Sequence, residues 1–177
     1  IMLERRFAEP VICTEYTLAV LKELAGEAGQ ALEERKCGGR RFESVFFRSD
    51  GLARALRIET SQPTRDPKLV MRLFSERIEA LSDPVDPGFG FDLIRLSVPM
   101  LEPLAATQLK LEGGAVGEAA VAAPVDRLST RLGRGRVRRL APHDSHIPEQ
   151  TQLALSAVEA AAPAQWLAPE PGEPPAR

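Results

Sequence analysis

An excess of charge of either sign is missing from this sequence. The chain has 23 lysines and arginines against 25 aspartates and glutamates, a formal net charge of −2. No global field therefore draws it toward nucleic acid, and any basic surface has to be local. Cysteine is scarce. Cys13 and Cys37 have no neighbours at metal-ligand spacing, and two such thiols suit a reducing compartment. His143 and His146, in "HDSHIPE", lack the further ligands a metal site requires and read as a polar turn. No stretch approaches the ~18 consecutive apolar residues of a membrane span, so no membrane partner is expected. No charged-then-apolar signal segment opens the chain. Nucleophile-elbow, phosphate-loop and zinc-protease patterns are absent, and "GRGR" at 133–136 lacks a strand before it and a helix after it. The expectation is no catalytic residue, no metal and no cofactor. Ile1 does not read as a native start, so the chain is expected to be a fragment of a longer protein.

The residues that are present show a clear alternation of elements. Residues 4–12 read as a strand, with Pro10 placing it at an edge. Leu18, Leu21, Ala25, Ala28 and Leu32 follow the spacing of one buried helical face over residues 14–36, which Gly38-Gly39 is expected to stop. Residues 41–60 read as a hairpin turning at Ser49-Asp50-Gly51. In its second arm Leu56, Ile58 and Thr60 alternate with Ala55, Arg57, Glu59 and Ser61. Asp66-Pro67 supplies an N-cap and first-turn proline for a second helix, whose stripe is Leu69, Val70, Leu73, Phe74, Ile78 and Leu81. "DLIRLSVPM" completes the pattern with Ile94, Leu96 and Val98 on one face. The order β-α-β-β-α-β predicts an α+β fold: a four-stranded antiparallel sheet with both helices on one face, an order shared with ferredoxin-like folds. The other sheet face, carrying Arg57, is then open.

Residues 99–123 are rich in Ala and Gly with little periodicity. A short helix (Val125, Leu128, Leu132) and a strand (Val137, Leu140) come next, in a stretch with six arginines and one aspartate. From Pro142 the chain becomes polar and Pro-rich. Three regions are expected: a domain over 1–104, a linker with a small basic unit over 105–148, and an extended or disordered tail over 149–177.

Between Arg40 and Arg65 the arginines (40, 41, 48, 54, 57, 65) outnumber the acids Glu43, Asp50 and Glu59. As ordinary surface charges they would mean little. On an uncovered sheet they can grip phosphates without reading bases. The candidate DNA-binding residues are Arg41, Arg54, Arg57, Ser61 and Arg65. "RRFESVFF" has phenylalanines but not the signature of an RNA-recognition module, and Phe42 and Phe46 share a face that suits the core. Beyond the last strand, Gln108, Leu109 and Leu111 form a Q-L-x-L pattern in a segment without a fold of its own, a candidate docking peptide.

The runs "RRFAEPV", "RRFESVFFRSDG", "TSQPTRDP", "RLFSERIEAL" and "DPGFGFDLIRL" resemble the little-finger domain of Y-family translesion DNA polymerases. "RLGRGRV" and "SHIPE" are similar to the region after that domain in the ImuB branch, polymerase-like proteins of bacterial mutagenic repair. The resemblance implies a little finger holding duplex or primer-template DNA by its sheet face. It also implies a parent with a degenerate polymerase site, acting as a hub for the sliding clamp, ImuA and an error-prone replicative-type polymerase. Gln108, Leu109 and Leu111 match the family's clamp-binding peptide, although Glu112 stands where an aromatic is common. Palm and fingers are lacking, so the chain is not expected to be an enzyme. The location implied is cytoplasmic, with the nucleoid. Two rivals remain: the same region of an active translesion polymerase, and a ferredoxin-like protein-interaction domain that binds no nucleic acid.

Overall fold

The computed structural model describes residues 1–81, 85–104, 116–143 and 145–159. The elements are β1 (Met2–Val11), α1 (Thr14–Glu34), β2 (Cys37–Arg48), β3 (Ala53–Thr64), α2 (Pro67–Glu79), β4 (Phe91–Pro103), α3 (Val116–Leu132), β5 (Arg138–Pro142) and β6 (Gln152–Ser156). The first four strands form one sheet in the order β1-β4-β2-β3, and every neighbouring pair is antiparallel. The last of these four thus inserts between the first and second, an arrangement that element order alone does not dictate. β1 is an edge strand, as Pro10 requires.

α1 and α2 cover one face. Leu21, Leu24, Leu32, Leu73, Phe74, Ile94 and Leu96 are fully buried there, together with Phe42 and Phe46 of β2 and Leu56 and Ile58 of β3. The alternation read from the sequence holds in β2, β3 and β4. Asp66 caps α2 as expected, its side chain accepting from the Lys68 N–H at 2.9 Å.

α1 ends differently from expectation. Arg35 is its C-cap, Lys36 takes φ 53°, and the chain enters β2 at Cys37, so Gly38 and Gly39 belong to a strand. Their role is close approach. A Cβ on Gly38 would stand 2.7 Å from Pro63, and one on Gly39 would run into the Phe42 ring. The turn at residues 49–51 is as predicted: Gly51 has φ 86° and Asp50 Oδ1 accepts from the Leu52 N–H.

The region after residue 115 departs most. α3 is longer than the expected short helix and carries Pro124 inside it. It also turns most of its expected stripe outward: Leu128 and Leu132 are 49% and 56% exposed and Val125 is half-buried, whereas Asp126, Ser129 and Thr130 are buried. The reason lies in its neighbours. α3 packs on α2 and on β3, an edge strand with backbone groups to satisfy. Asp126 Oδ1 accepts the Ser61 N–H at 2.6 Å. β5 and β6 pair as an antiparallel hairpin, so the segment from residue 149, expected as extended or disordered tail, begins with a 3-10 turn at Pro148–Gln150 and a paired strand.

Candidate nucleic-acid interface

Parity along the strands decides which side chains reach the open sheet face. Cross-strand register puts Arg41 opposite Glu59 and Glu43 opposite Arg57. On the other side of β2, Glu43 stands opposite Ser97 and Val45 opposite Arg95, and Arg95 in turn faces Glu4 of β1. Arg41, Arg57 and Arg95 each meet a carboxylate, while Arg6, on the same face of β1 as Glu4, is exposed. Arg57 Nε lies 2.7 Å from Glu43, Arg41 Nε 2.9 Å from Glu59 and Arg95 Nε 2.6 Å from Glu4. The Arg95 guanidinium also lies over the Phe47 ring, 5.1 Å from its centroid. Between these pairs lie the small side chains of Ala53, Ala55 and Ser97, with Val45 and Phe47 of β2 on the same face. The surface is therefore a checkerboard of opposite charges rather than a bare basic plate.

Only part of the predicted set is brought together here. Arg41 and Arg57 are on the open face. Ser61 has the same parity, but α3 lies against it and Asp126 takes its N–H. Arg54 stands opposite Phe46, sharing its face with Leu56 and Ile58, toward the helices. Arg65 is away from the face altogether. Its Nε donates to the Cys37 carbonyl and its Nη2 to the Leu104 carbonyl, both at 2.7 Å, clasping the ends of β2 and β4. The candidate docking residues Gln108, Leu109 and Leu111 lie outside the described residues. Arg95, which sequence reasoning missed, has a readable signal: it alternates with Ile94, Leu96 and Val98, all buried.

Most arginines after residue 126 stay exposed while making contacts within the chain. Arg127 Nε donates to Glu76 at 2.7 Å, and Arg131 lies 3.2 Å from the same, almost wholly buried carboxylate on α2. Arg134 pairs with Glu159 and lies 3.5 Å from Glu59; Arg139 donates to the Glu159 carbonyl. Buried Arg40 completes the clasp, donating from Nη2 to the Val158 carbonyl at 2.8 Å while its Nε lies 3.1 Å from Glu102. Burial pushes the Asp126 carboxyl above its ordinary value, against the Ser61 N–H and the charges of Arg40 and Arg72, which pull it down. Among the described residues no helix is long and apolar enough to cross a membrane.

Residues 1–111 match the family model described as the impB/mucB/samB family C-terminal domain. The chain belongs to this family. Protein ImuB of Caulobacter vibrioides, from strain NA1000 / CB15N and from strain ATCC 19089 / CIP 103742 / CB 15, is 33% identical over 162 residues. That alignment takes in 90% of this chain, so likeness within the family runs past residue 111 into the α3 and hairpin region. The chain spans 34% of the length of these curated relatives. Among solved structures, the complex of the beta-clamp processivity factor and the little finger domain of PolIV is similar at a TM-score of 0.45 and 18% identity. That match covers 64% of this chain and 98% of the other.

Proposed function

We propose that this chain is the DNA-holding, non-catalytic part of an ImuB-type protein acting in error-prone translesion synthesis, with duplex or primer-template DNA on its open sheet face. The observation that carries the reading is the uncovered face itself. Arg41, Arg57 and Arg95 are spread over three strands, with small side chains between them that let a phosphate backbone approach. The glutamates set the strength. Each guanidinium has N–H groups beyond those it gives to carboxylate, but a phosphate must compete with a partner already in place. Binding is therefore weak, salt-sensitive and indifferent to sequence.

This makes a prediction with two signs. Arg57→Ala with Arg41→Ala should weaken binding to a short duplex and flatten its salt slope by roughly one to two phosphate contacts. Glu43→Gln, which releases Arg57, should strengthen it. Fluorescence anisotropy against salt reads both. A folded arginine double variant with unchanged affinity and slope would remove DNA from this face. Arg65 is unsuited to that test, because it holds two carbonyls of the fold.

The partners proposed with this role are the sliding clamp, ImuA and an error-prone replicative-type polymerase, in the cytoplasm with the nucleoid. Clamp docking rests on the Gln108, Leu109 and Leu111 pattern alone. Calorimetry of the clamp with wild type and with all three changed to Ala should show the loss of a weak interaction, about −8 kcal/mol or poorer. A second reading is favoured by the paired charges: a sheet so evenly balanced also suits a protein partner with its own alternating charges. Absence of any salt-dependent binding to duplex or primer-template DNA would favour it.

A further inference from the structure

α3 leaves a line of large apolar side chains uncovered. Val121, Leu128 and Leu132 are 57%, 49% and 56% exposed, and their spacing sets them one above another on the helix. Such a contiguous line calls for cover in a way that single exposed leucines do not. Beside it a groove of about 420 Å³ opens between α2 and α3. Ala123, Pro124 and Leu128 supply its apolar part, and Arg72, Arg127 and Arg131 its rim. Arg127 and Arg131 are already spent on Glu76. Arg72 is exposed; its charge reaches the buried Asp126 carboxyl, but it makes no ion pair among the described residues.

We infer that the chain's own C-terminal segment docks in this groove, with Trp166 and Leu167 on Leu128 and Leu132 and Glu170 beside Arg72. Residues 160–177, "AAAPAQWLAPEPGEPPAR", lie outside the described residues. In that sequence Trp166 and Leu167 are the only large apolar side chains, and Glu170 and Glu173 the only acids. The segment starts close by, because Glu159 meets Arg134 just past the end of α3. From Glu159 to Trp166 the chain can reach up to ~25 Å. Leu128 lies only ~9 Å back along the helix axis from Arg134. The order of groups matches as well. Glu76 meets Arg127 and Glu79 meets Arg131, so α2 and α3 run in the same sense and Arg72 borders the groove at its far end, by Ala123 and Pro124. A segment entering from Arg134 meets the leucines first and Arg72 last, just as Trp166 and Leu167 precede Glu170. Pro163, Pro169 and Pro171 favour an extended course and lower the cost of ordering it. A second copy of the chain would instead set the same rim arginines against one another. None of the sheet-face arginines takes part, so the docking stands apart from the DNA reading. A partner peptide with the same order, an aromatic-aliphatic pair and then an acid, has to displace this segment to use the groove.

Trp166 is the chain's single tryptophan, so its fluorescence reports the contact directly. The test compares the full chain, Leu128→Ser/Leu132→Ser and Arg72→Glu, each checked for folding by circular dichroism, with a free peptide of residues 160–177. Docking should shift the emission to the blue. It should also at least about halve acrylamide quenching relative to the peptide, since an indole with one face on leucine presents only the other. Both effects should survive dilution. The leucine variant should return emission and quenching to the peptide's values. Arg72→Glu should move both part of the way, and Glu170→Lys added to it should restore them. A blue shift that disappears on dilution would mean that a second copy covers the stripe. Wild-type emission equal to the peptide's, or indifferent to both variants, would mean that this segment leaves the groove empty. Either result overturns the docking.

Discussion

Arginine is the residue whose fate the sequence shows least. Arg40, Arg41, Arg54, Arg57 and Arg65 fall within one short stretch, yet one is buried against a distant carbonyl, two pair across the open sheet, one turns toward the helices and one clasps two strand ends. Strand parity sorts Arg57 correctly, because its neighbours Leu56 and Ile58 mark the other face. It cannot sort Arg40 or Arg65, whose partners are backbone carbonyls at the ends of β2 and β4 and after β6. Asp126 is equally illegible: a single acid among six arginines reads as solvated, but it is buried and gives the edge of β3 an acceptor. Its raised pKa has a defined sign. The folded state holds the Asp126 proton more tightly than the unfolded chain, whose aspartates titrate near ~3.9. Stability from this site is therefore greatest below that value and declines as pH rises through the window up to the raised folded value. Asp126→Asn mimics the neutral form. The difference in thermal midpoint between this variant and wild type should grow in the variant's favour as pH rises through that window and then level off. A constant difference would place the carboxylate in water.

At the scale of elements, period is the reliable guide wherever one face meets a core. The stripe of α2 is an instance: Val70, Leu73 and Phe74 are buried as expected, with Leu69, Ile78 and Leu81 packed partly against them. Phe74→Ala should lower stability by ~3–5 kcal/mol in denaturant titration, the range for a fully buried ring. A loss well under 1 kcal/mol would mean that the pocket collapses or the ring is not enclosed. The same logic fails for α3. Val125, Leu128 and Leu132 form a proper apolar stripe, but Leu128 and Leu132 stay exposed while Asp126, Ser129 and Thr130 are buried. The helix lies on an edge strand and on the buried Glu76 carboxylate, and those select its polar side. Hydrophobic periodicity assumes a hydrophobic neighbour, and an edge strand with N–H groups to satisfy is a different kind of neighbour.

The whole molecule is a family domain with an appendage welded to its edge. α3 and the β5–β6 hairpin are held by Arg40, Arg127, Arg131 and Arg134, so a chain ending at residue 104 loses the cover over β3 together with the carbonyl that buried Arg40 uses. Such a truncation should self-associate as its concentration rises, visible as an earlier elution in size-exclusion chromatography. A monomer at every concentration would show that the edge protects itself. The insertion of β4 between β1 and β2 also bears on how the chain is made. As it leaves the ribosome, the β2–β3 hairpin can form at once, but β1 has no strand beside it until Phe91–Pro103 emerges. For that interval the nascent sheet is two pieces with a slot between them, and closing the slot joins segments far apart in sequence, the slow class of contact in folding. Synthesis rate past residue 103, more than the strength of any one pair, then sets how long the unfinished domain stays open to chaperones and to misassembly.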